Sequence, residues 1–249
     1  MMIRAGVVGL AMLWPVSGAL AEATLVDQLL AQYERIESVT CDLRRDVRQG
    51  EQTMRWLSRI EFQRPDRLHV ENHAPLPRRI VSDGTTLFQH NQGQPRGFRR
   101  PVDELNAAML NSLRRVPGTA MEHLARLRGL PEIELEGEGD YPVRRAYETP
   151  QIYAVLHADA DGRLGRLELF DADDRSQLTG ALDFSAFVEV LDGVWIPMRH
   201  ETRFQVGDVI VRETVRLSQY EVNAPIAPER FDPAVHFDEV EWVDDFGDL

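Results

Sequence analysis

The spacing of apolar residues predicts a helix near the start of the chain. Leu25, Leu29, Tyr33 and Ile36 recur at intervals of four, four and three residues, which places them on one face of a helix. Thr24 begins this segment, and the acidic side chain three residues later completes a helix-start signal. We expect the helix to end near residue 38.

From residue 39 the period falls to two, which predicts β-strands. Two alternating segments flank a turn at residues 49–51, and each places apolar side chains on one face and charged side chains on the other. The apolar positions are Val39, Cys41, Leu43 and Val47 before the turn and Met54, Trp56, Ile60 and Phe62 after it. Ser82-Asp83-Gly84 predicts a further hairpin turn, in which the glycine supplies a positive φ.

The helical period returns in the middle of the chain, where residues 103–115 and 120–128 are predicted as two short amphipathic helices. Their apolar positions are Leu105, Met109, Leu110 and Leu113 in the first and Met121, Leu124 and Leu127 in the second. Beyond them, turn signals at residues 161–162, 173–174, 192–193 and 207–208 predict an antiparallel meander. The pattern as a whole predicts an α+β domain with one large curved sheet and about three helices.

The first 21 residues are predicted to be a cleavable secretory signal. Arg4 supplies a positive charge, residues 5–16 are almost wholly apolar, and Ala19-Leu20-Ala21 has the small-residue pattern of a cleavage site. An uncleaved membrane anchor is the alternative, but the apolar stretch is shorter than the ~20 residues that span a bilayer. We therefore expect a signal at 1–21, one domain at 22–235 and an acidic tail at 236–249.

Charge and cysteine content exclude several classes of protein. The formal net charge is −13, and all 28 basic residues other than histidine are arginine. An acidic chain of this kind is a poor match for nucleic acid, and its net charge also disfavours anionic lipid surfaces. Cys41 is the single cysteine, so no internal disulfide forms, and we expect it to be buried in a strand.

No pattern in the sequence predicts catalysis, a metal site or a cofactor. His69 and His73 lie four residues apart on a predicted strand without a third ligand. Asp159 and Asp161 resemble the start of a calcium loop, but its twelfth position would be Phe170 instead of a bidentate glutamate. We expect a protein that is not an enzyme, with a hydrolase that uses His69 or His90 as the remote alternative.

Two segments resemble the signature region of the outer-membrane lipoprotein carrier (LolA-like) family. They are Phe62-Gln63-Arg64-Pro65-Asp66-Arg67-Leu68 and Ile80-Val81-Ser82-Asp83-Gly84-Thr85-Thr86-Leu87, and the similarity extends over most of residues 24–190. The resemblance implies a strongly curved, half-open antiparallel β-barrel with a lid of about three helices over its concave face. It also implies a periplasmic carrier that ferries acyl chains of lipoproteins or lipids toward the outer membrane. An inner-membrane release complex and an outer-membrane acceptor are the partners that such a carrier would meet.

The resemblance also nominates a cavity and a residue that closes it. Arg64 matches the arginine that holds the helical lid to the sheet. The candidate lining residues are Trp56, Ile60, Phe62, Leu68, Val70, Met109, Leu113, Met121 and Leu124. From periodicity alone, these side chains are more typical of a filled core, and only the family resemblance favours a cavity. The chain departs from the family pattern after residue 190, where it is longer, and this favours an alternative function as a periplasmic sensor that contacts a membrane-protein partner.

Overall fold

The computed structural model describes residues 23–207, 209–245 and 247. The predicted secretory signal therefore lies outside the described residues. The described residues form one 14-stranded sheet, in the order β14-β6-β5-β4-β3-β2-β1-β13-β12-β11-β10-β9-β8-β7. All its pairings are antiparallel except that of β14 with β6. The long run of hairpin-linked strands follows from the period-two alternation that recurs between turn signals.

The first half of the sheet contains β1 to β6 and the second half β7 to β13, with β14 added at one edge. Their bounds are β1 Ser38–Gln49, β2 Gln52–Gln63, β3 Arg67–Ala74, β4 Arg78–Asp83, β5 Thr86–Asn91, β6 Arg96–Pro101, β7 Ile133–Leu135, β8 Val143–Glu148, β9 Ile152–Ala158, β10 Leu164–Asp171, β11 Leu178–Leu191, β12 Val194–Val206, β13 Val209–Val222 and β14 Glu241–Val243. The predicted turns at 49–51 and 82–84 lie between strands, and Gly84 has a φ of +97°. Asp83 completes the second turn by accepting hydrogen bonds from the backbone of Thr85 and Thr86.

Four α-helices accompany the sheet in the described part of the chain: α1 Leu25–Glu34, α2 Ala107–Arg114, α3 Met121–Ala125 and α4 Pro233–His236. The first three lie in the predicted helical segments, but each is shorter than predicted. The predicted helix 103–115 begins instead with a 3-10 turn at Val102–Glu104, because Asn106 starts a new helix by accepting a hydrogen bond from the Met109 N–H at 3.0 Å. A second 3-10 helix, Pro228–Phe231, precedes α4.

The two faces of the sheet differ in what covers them. Apolar side chains of α1, α2 and α3 pack against one face, which we call the helix face, and Phe62, Cys41 and Leu217 lie buried on it. Cys41 is fully buried, as expected, and burial raises the pKa of its thiol to about 12. The other face, which we call the opposite face, carries mostly charged side chains, because charged and apolar residues alternate along the strands.

The carboxyl-terminal segment covers part of the opposite face. His236 stacks on the buried His69 with 4.4 Å between ring centroids, and Arg230 donates to Glu61 at 2.6 Å. Farther along, Trp242 on β14 packs edge-on against Phe88 of β5 at 5.1 Å. Part of the segment that was expected to be an acidic tail is therefore the outermost strand of the sheet.

No helix in the described residues is long and apolar enough to cross a membrane.

Candidate functional site

The nominated lining residues gather in two apolar clusters on the helix face. In the first cluster Phe62 and Leu124 are fully buried, and Ile60, Leu68 and Met121 pack against it. In the second cluster Leu113 of α2 is buried together with Leu87, Val102 and Leu105, and Leu68 and Met109 pack against them. Leu68 contacts both clusters, so the two adjoin across β3. The second cluster lies under α2 and above β3, β4 and β5.

Two nominated residues lie outside both clusters. Val70 is half-buried on β3, and Trp56 on β2 faces Arg45 across the β1–β2 pair. The Arg45 guanidinium lies 5.4 Å from the centre of the Trp56 ring, and it also pairs with Glu213 at 2.6 Å. Trp56 therefore makes a cation–π contact with an arginine that is itself in an ion pair, and it lies outside the two apolar clusters.

Arg64 binds the end of the first helix. Its Nε donates to the Ile36 carbonyl at 2.7 Å, and a terminal nitrogen donates to the Tyr33 carbonyl at 3.2 Å. Carbonyls in the last turn of a helix have no partner within the helix, so a guanidinium satisfies them well. The structure places Arg64 at the end of α1, which is one of the three helices that the sequence predicts.

A different ion pair connects α2 to the sheet. Arg114, in the last turn of α2, donates to both oxygens of Asp66 at 2.5 and 3.1 Å, and Asp66 lies buried in the β2–β3 turn. Two parallel hydrogen bonds between charged groups give the contact a defined geometry. Sequence reasoning missed this pair because the partners are 48 residues apart and neither belongs to an apolar pattern.

The segment after α2 is held much more firmly than α2 itself. Residues 116–120 are all buried. The Thr119 hydroxyl donates to the Val116 carbonyl at 2.8 Å, and the Tyr220 hydroxyl donates to the Pro117 carbonyl at 2.6 Å. In α2, by contrast, Leu113 is the one buried residue. Elements with few buried contacts open at low free-energy cost, so α2 is suited to move relative to the linker that follows it.

Replacing Arg114 with alanine is expected to loosen α2 without unfolding the sheet. The change removes about 1 kcal/mol of net hydrogen bonding, so amide hydrogen exchange within α2 should accelerate about fivefold. Mass spectrometry of exchanged peptides measures this directly. Ser112→Ala, at an exposed position on the same helix, is the matched control and should exchange like the wild type. Equal exchange in the two variants would show that the Asp66 contact does not hold α2.

One titratable side chain lies beneath the junction of α2 and α3. His200 of β12 is mostly buried beside Phe184, with 5.8 Å between ring centroids. Burial, together with the nearby positive charge of Arg115, lowers the pKa of His200 to about 4. Its Nε2 has no hydrogen-bond partner among the described residues. The imidazole is therefore neutral at physiological pH.

The larger surface grooves have a different character from the two clusters. One groove of about 440 Å³ lies beside β4 and α4, and another of about 470 Å³ lies on the opposite face across β1, β12 and β13. Charged and polar side chains form most of the lining of both. Within the described ranges, no group of three or more histidine, cysteine, aspartate or glutamate side chains is arranged to hold a metal ion.

Solved structures with similar backbones identify the fold. A LolA superfamily protein of Nitrosomonas europaea superposes with a TM-score of 0.53 at 11% identity, over 84% of this chain and 98% of that chain. The fold is LolA-like. An outer membrane lipoprotein-sorting protein domain of Vibrio parahaemolyticus gives a TM-score of 0.56 at 11% identity, over 84% of this chain and 97% of that one. A DUF1329 family protein of Desulfovibrio piger gives 0.53 at 12% identity, over 84% and 96%.

Sequence comparison adds no closer relative. No family model matches the chain, and no curated protein matches it. The resemblance seen in the Arg-Pro turn and the Ser-Asp-Gly hairpin is nevertheless confirmed by the LolA-like fold. In this fold the two apolar clusters, the α2 helix and the Asp66–Arg114 pair form the candidate site.

Proposed function

We propose that the chain binds acyl chains of lipoproteins or lipids between α2 and strands β3–β5 and carries them through the periplasm toward the outer membrane. One observation carries the proposal. A short helix covers a buried apolar cluster, yet one buried leucine and one ion pair with a half-exposed arginine attach it to the sheet. We also infer that the sheet curves around its helices as a half-open barrel, so that α2 serves as the movable part of the lid.

The energetics of exchange suit a carrier that must release its cargo. When α2 moves aside, Leu68, Ile80 and Leu87 lose the apolar cover that the helix gives them. An acyl chain restores this cover, and each methylene that leaves water contributes ~0.8 kcal/mol. Because the cargo replaces contacts that the closed protein already makes, the net affinity stays moderate. Met109 suits a changing surface, since thioether side chains adapt easily.

The neighbours and the predicted signal support the class of cargo and the compartment. One neighbour is described as an outer membrane lipoprotein-sorting protein domain, which agrees with lipidated protein as cargo. The apolar stretch before Ala21 agrees with export. We propose a binding role without catalysis, in which Arg64 fixes α1 as the rigid side of the site and Arg114 sets how easily α2 opens.

Binding of fatty acids of increasing length, measured by calorimetry, tests the proposal. Affinity should rise up to about fourfold for each added methylene and then level off once the space between α2 and strands β3–β5 is full. Met109→Glu places a charge under α2 and should weaken binding at least tenfold, because burying an unpaired carboxylate is costly. Asn111→Glu makes the same charge change at an exposed position on α2 and should bind normally.

Two outcomes would contradict the carrier. One is an affinity that does not depend on chain length. The other is equal binding by the Met109 and Asn111 variants. If, in addition, a membrane-protein partner is captured equally by both variants, the sensor function replaces the carrier as the better account.

A further inference from the structure

A row of three arginines crosses the opposite face of the sheet. Arg48 on β1 lies directly across from Arg212 on β13, and Arg212 lies directly across from Arg203 on β12. All three side chains are exposed. Residues in this arrangement have Cβ atoms about 5 Å apart, and like charges directly opposite one another are destabilising. We call these three residues the arginine row.

The carboxylates around the arginine row are already engaged. The groove of about 470 Å³ that contains the row is also lined by four acidic side chains. Each pairs with an arginine outside the row: Asp46 with Arg44 and Arg55, Glu213 with Arg45, Glu201 with Arg199, and Asp183 with Arg166.

The positive charges of the arginine row are not neutralised by carboxylates of the described residues. Arg48 donates to the Gly50 carbonyl at 3.1 Å, and neither Arg203 nor Arg212 has a carboxylate partner in the part of the chain that the structure describes. Three adjacent guanidinium groups without counter-charges make a receptor for a multivalent anion. Guanidinium groups bind phosphate oxygens in bidentate fashion, which makes phosphate the best match.

Large apolar side chains are exposed near the same end of these strands. Ile210 lies on the same face as the arginine row and is 52% exposed. Met54, Phe204 and Val209, which are 52%, 36% and 39% exposed, alternate onto the helix face at the same end of the strands. A lipid headgroup layer offers partners for both kinds of side chain, since phosphates lie beside the boundary of the acyl region. A free phosphate in solution would leave the apolar residues unused.

The net charge of −13 does not prevent such contact. Glu241 and Asp244, near the carboxyl terminus, pair with or adjoin β6 at the far edge of the sheet. Six strand-to-strand steps separate β14 from β1, which is roughly 29 Å along the sheet. Charges at that distance are largely screened at physiological salt, where the Debye length is about 8 Å.

We propose that the arginine row binds the phosphate groups of an anionic lipid surface, with Ile210, on the same face of the sheet, entering the boundary of the acyl layer. The sequence alone argued the reverse, because net charge does not reveal that the unpaired arginines share one face. This surface lies on the other side of the sheet from the acyl-binding cluster, so the proposal goes beyond the carrier function and does not depend on it.

Co-sedimentation of the full chain with vesicles tests the proposal. Binding is expected to vesicles that contain phosphatidylglycerol and not to vesicles of phosphatidylcholine alone. The double variant Arg203→Gln/Arg212→Gln should bind about 30-fold more weakly, because each arginine near an anionic surface contributes about a fivefold effect. The double variant Arg199→Gln/Arg216→Gln removes the same charge from another arginine pair on the same face of β12 and β13, four residues along each strand, where Glu201 and Asp46 are paired partners. It should bind within about threefold of the wild type.

Three results would overturn the proposal: no binding to phosphatidylglycerol vesicles, equal loss in both double variants, or binding of inorganic pyrophosphate through Arg203 and Arg212 without any vesicle binding. The last result would assign the row to a free phosphate compound. Met109→Glu should leave vesicle binding unchanged, so the lipid-surface proposal and the carrier proposal fail separately.

Discussion

Replacing Gly118 with alanine is expected to destabilise the protein by about 3 kcal/mol. Gly118 has a φ of +84°, a conformation that costs an L-residue roughly 1–2 kcal/mol. A Cβ atom at this position would also lie 2.4 Å from Cδ1 of Leu217 on β13, and relieving such overlap in a packed region costs a further ~1–3 kcal/mol. Urea unfolding followed by circular dichroism measures the change in the free energy of unfolding.

Gly93 provides a matched control for the backbone part of this effect. Its φ of +85° is almost identical, but a Cβ there would meet nothing within 4 Å. Gly93→Ala should therefore cost about 1 kcal/mol, and the excess for Gly118 reports the contact with Leu217. In a Leu217→Ala background the cost of Gly118→Ala should fall to the value at Gly93. Equal costs in the wild-type background would mean that the linker between α2 and α3 is not pressed against the sheet.

In the proposed carrier, this buried linker would let α2 open while α3 stays in place. Val116 and Ala120 are buried at either end of Gly118, so motion of α2 is confined to the residues before 116. Only the part of the lid over Leu68, Ile80 and Leu87 then opens, and the first cluster under α1 and α3 stays closed. A site of this kind admits a chain from one side without melting the core.

Local patterns in the sequence predicted most of the sheet and the helices. The alternation around the turn at 49–51 gave β1 and β2, and the Ser-Asp-Gly turn gave β4 and β5, because side-chain period and turn chemistry are properties of neighbouring residues. The helical period also located α1, α2 and α3. The predicted ends of the helices were wrong. Asn106 caps α2 inside the predicted segment, and the spacing of apolar residues does not reveal where a capping side chain starts a helix.

Contacts over long sequence distances were not predictable in the same way. The stacking of His236 on His69 depends on the chain returning across the opposite face after residue 225. Asp232 followed by Pro233 was a readable helix start, and the Asp232 side chain does accept a hydrogen bond from the Ala234 N–H at 2.9 Å. The acidic residues after position 236 predicted an acidic tail, and this short helix-start signal lies before that segment.

The burial of the apolar candidates follows from local patterns, whereas the polar contacts around them do not. Phe62, Leu113 and Leu124 are buried where the helices meet the sheet, as alternation and helical spacing require. The partner of Arg64 and the Asp66–Arg114 pair depend on side-chain directions that no local pattern specifies. The polar contacts are therefore the part of the candidate site that local patterns leave undetermined.

Acidification is expected to destabilise the protein by up to about 3 kcal/mol through His200 alone. Burial and the neighbouring charge of Arg115 lower its pKa to about 4 in the folded state, whereas an unfolded histidine has a pKa of about 6.5. Below pH 6.5 the unfolded chain binds a proton that the folded protein excludes. The free energy of unfolding therefore falls as the pH drops from 6.5 to 4, and His200 adds no further loss below pH 4.

His200→Gln removes this titration, so its free energy of unfolding should depend less on pH than that of the wild type. Burial also lowers the pKa of His157 and His236, and the difference between the two proteins isolates His200 from them. His73→Gln removes an exposed histidine from the same sheet and is the control for replacing a histidine with glutamine. Parallel curves for the wild type and His200→Gln would mean that the imidazole is hydrated in the folded state.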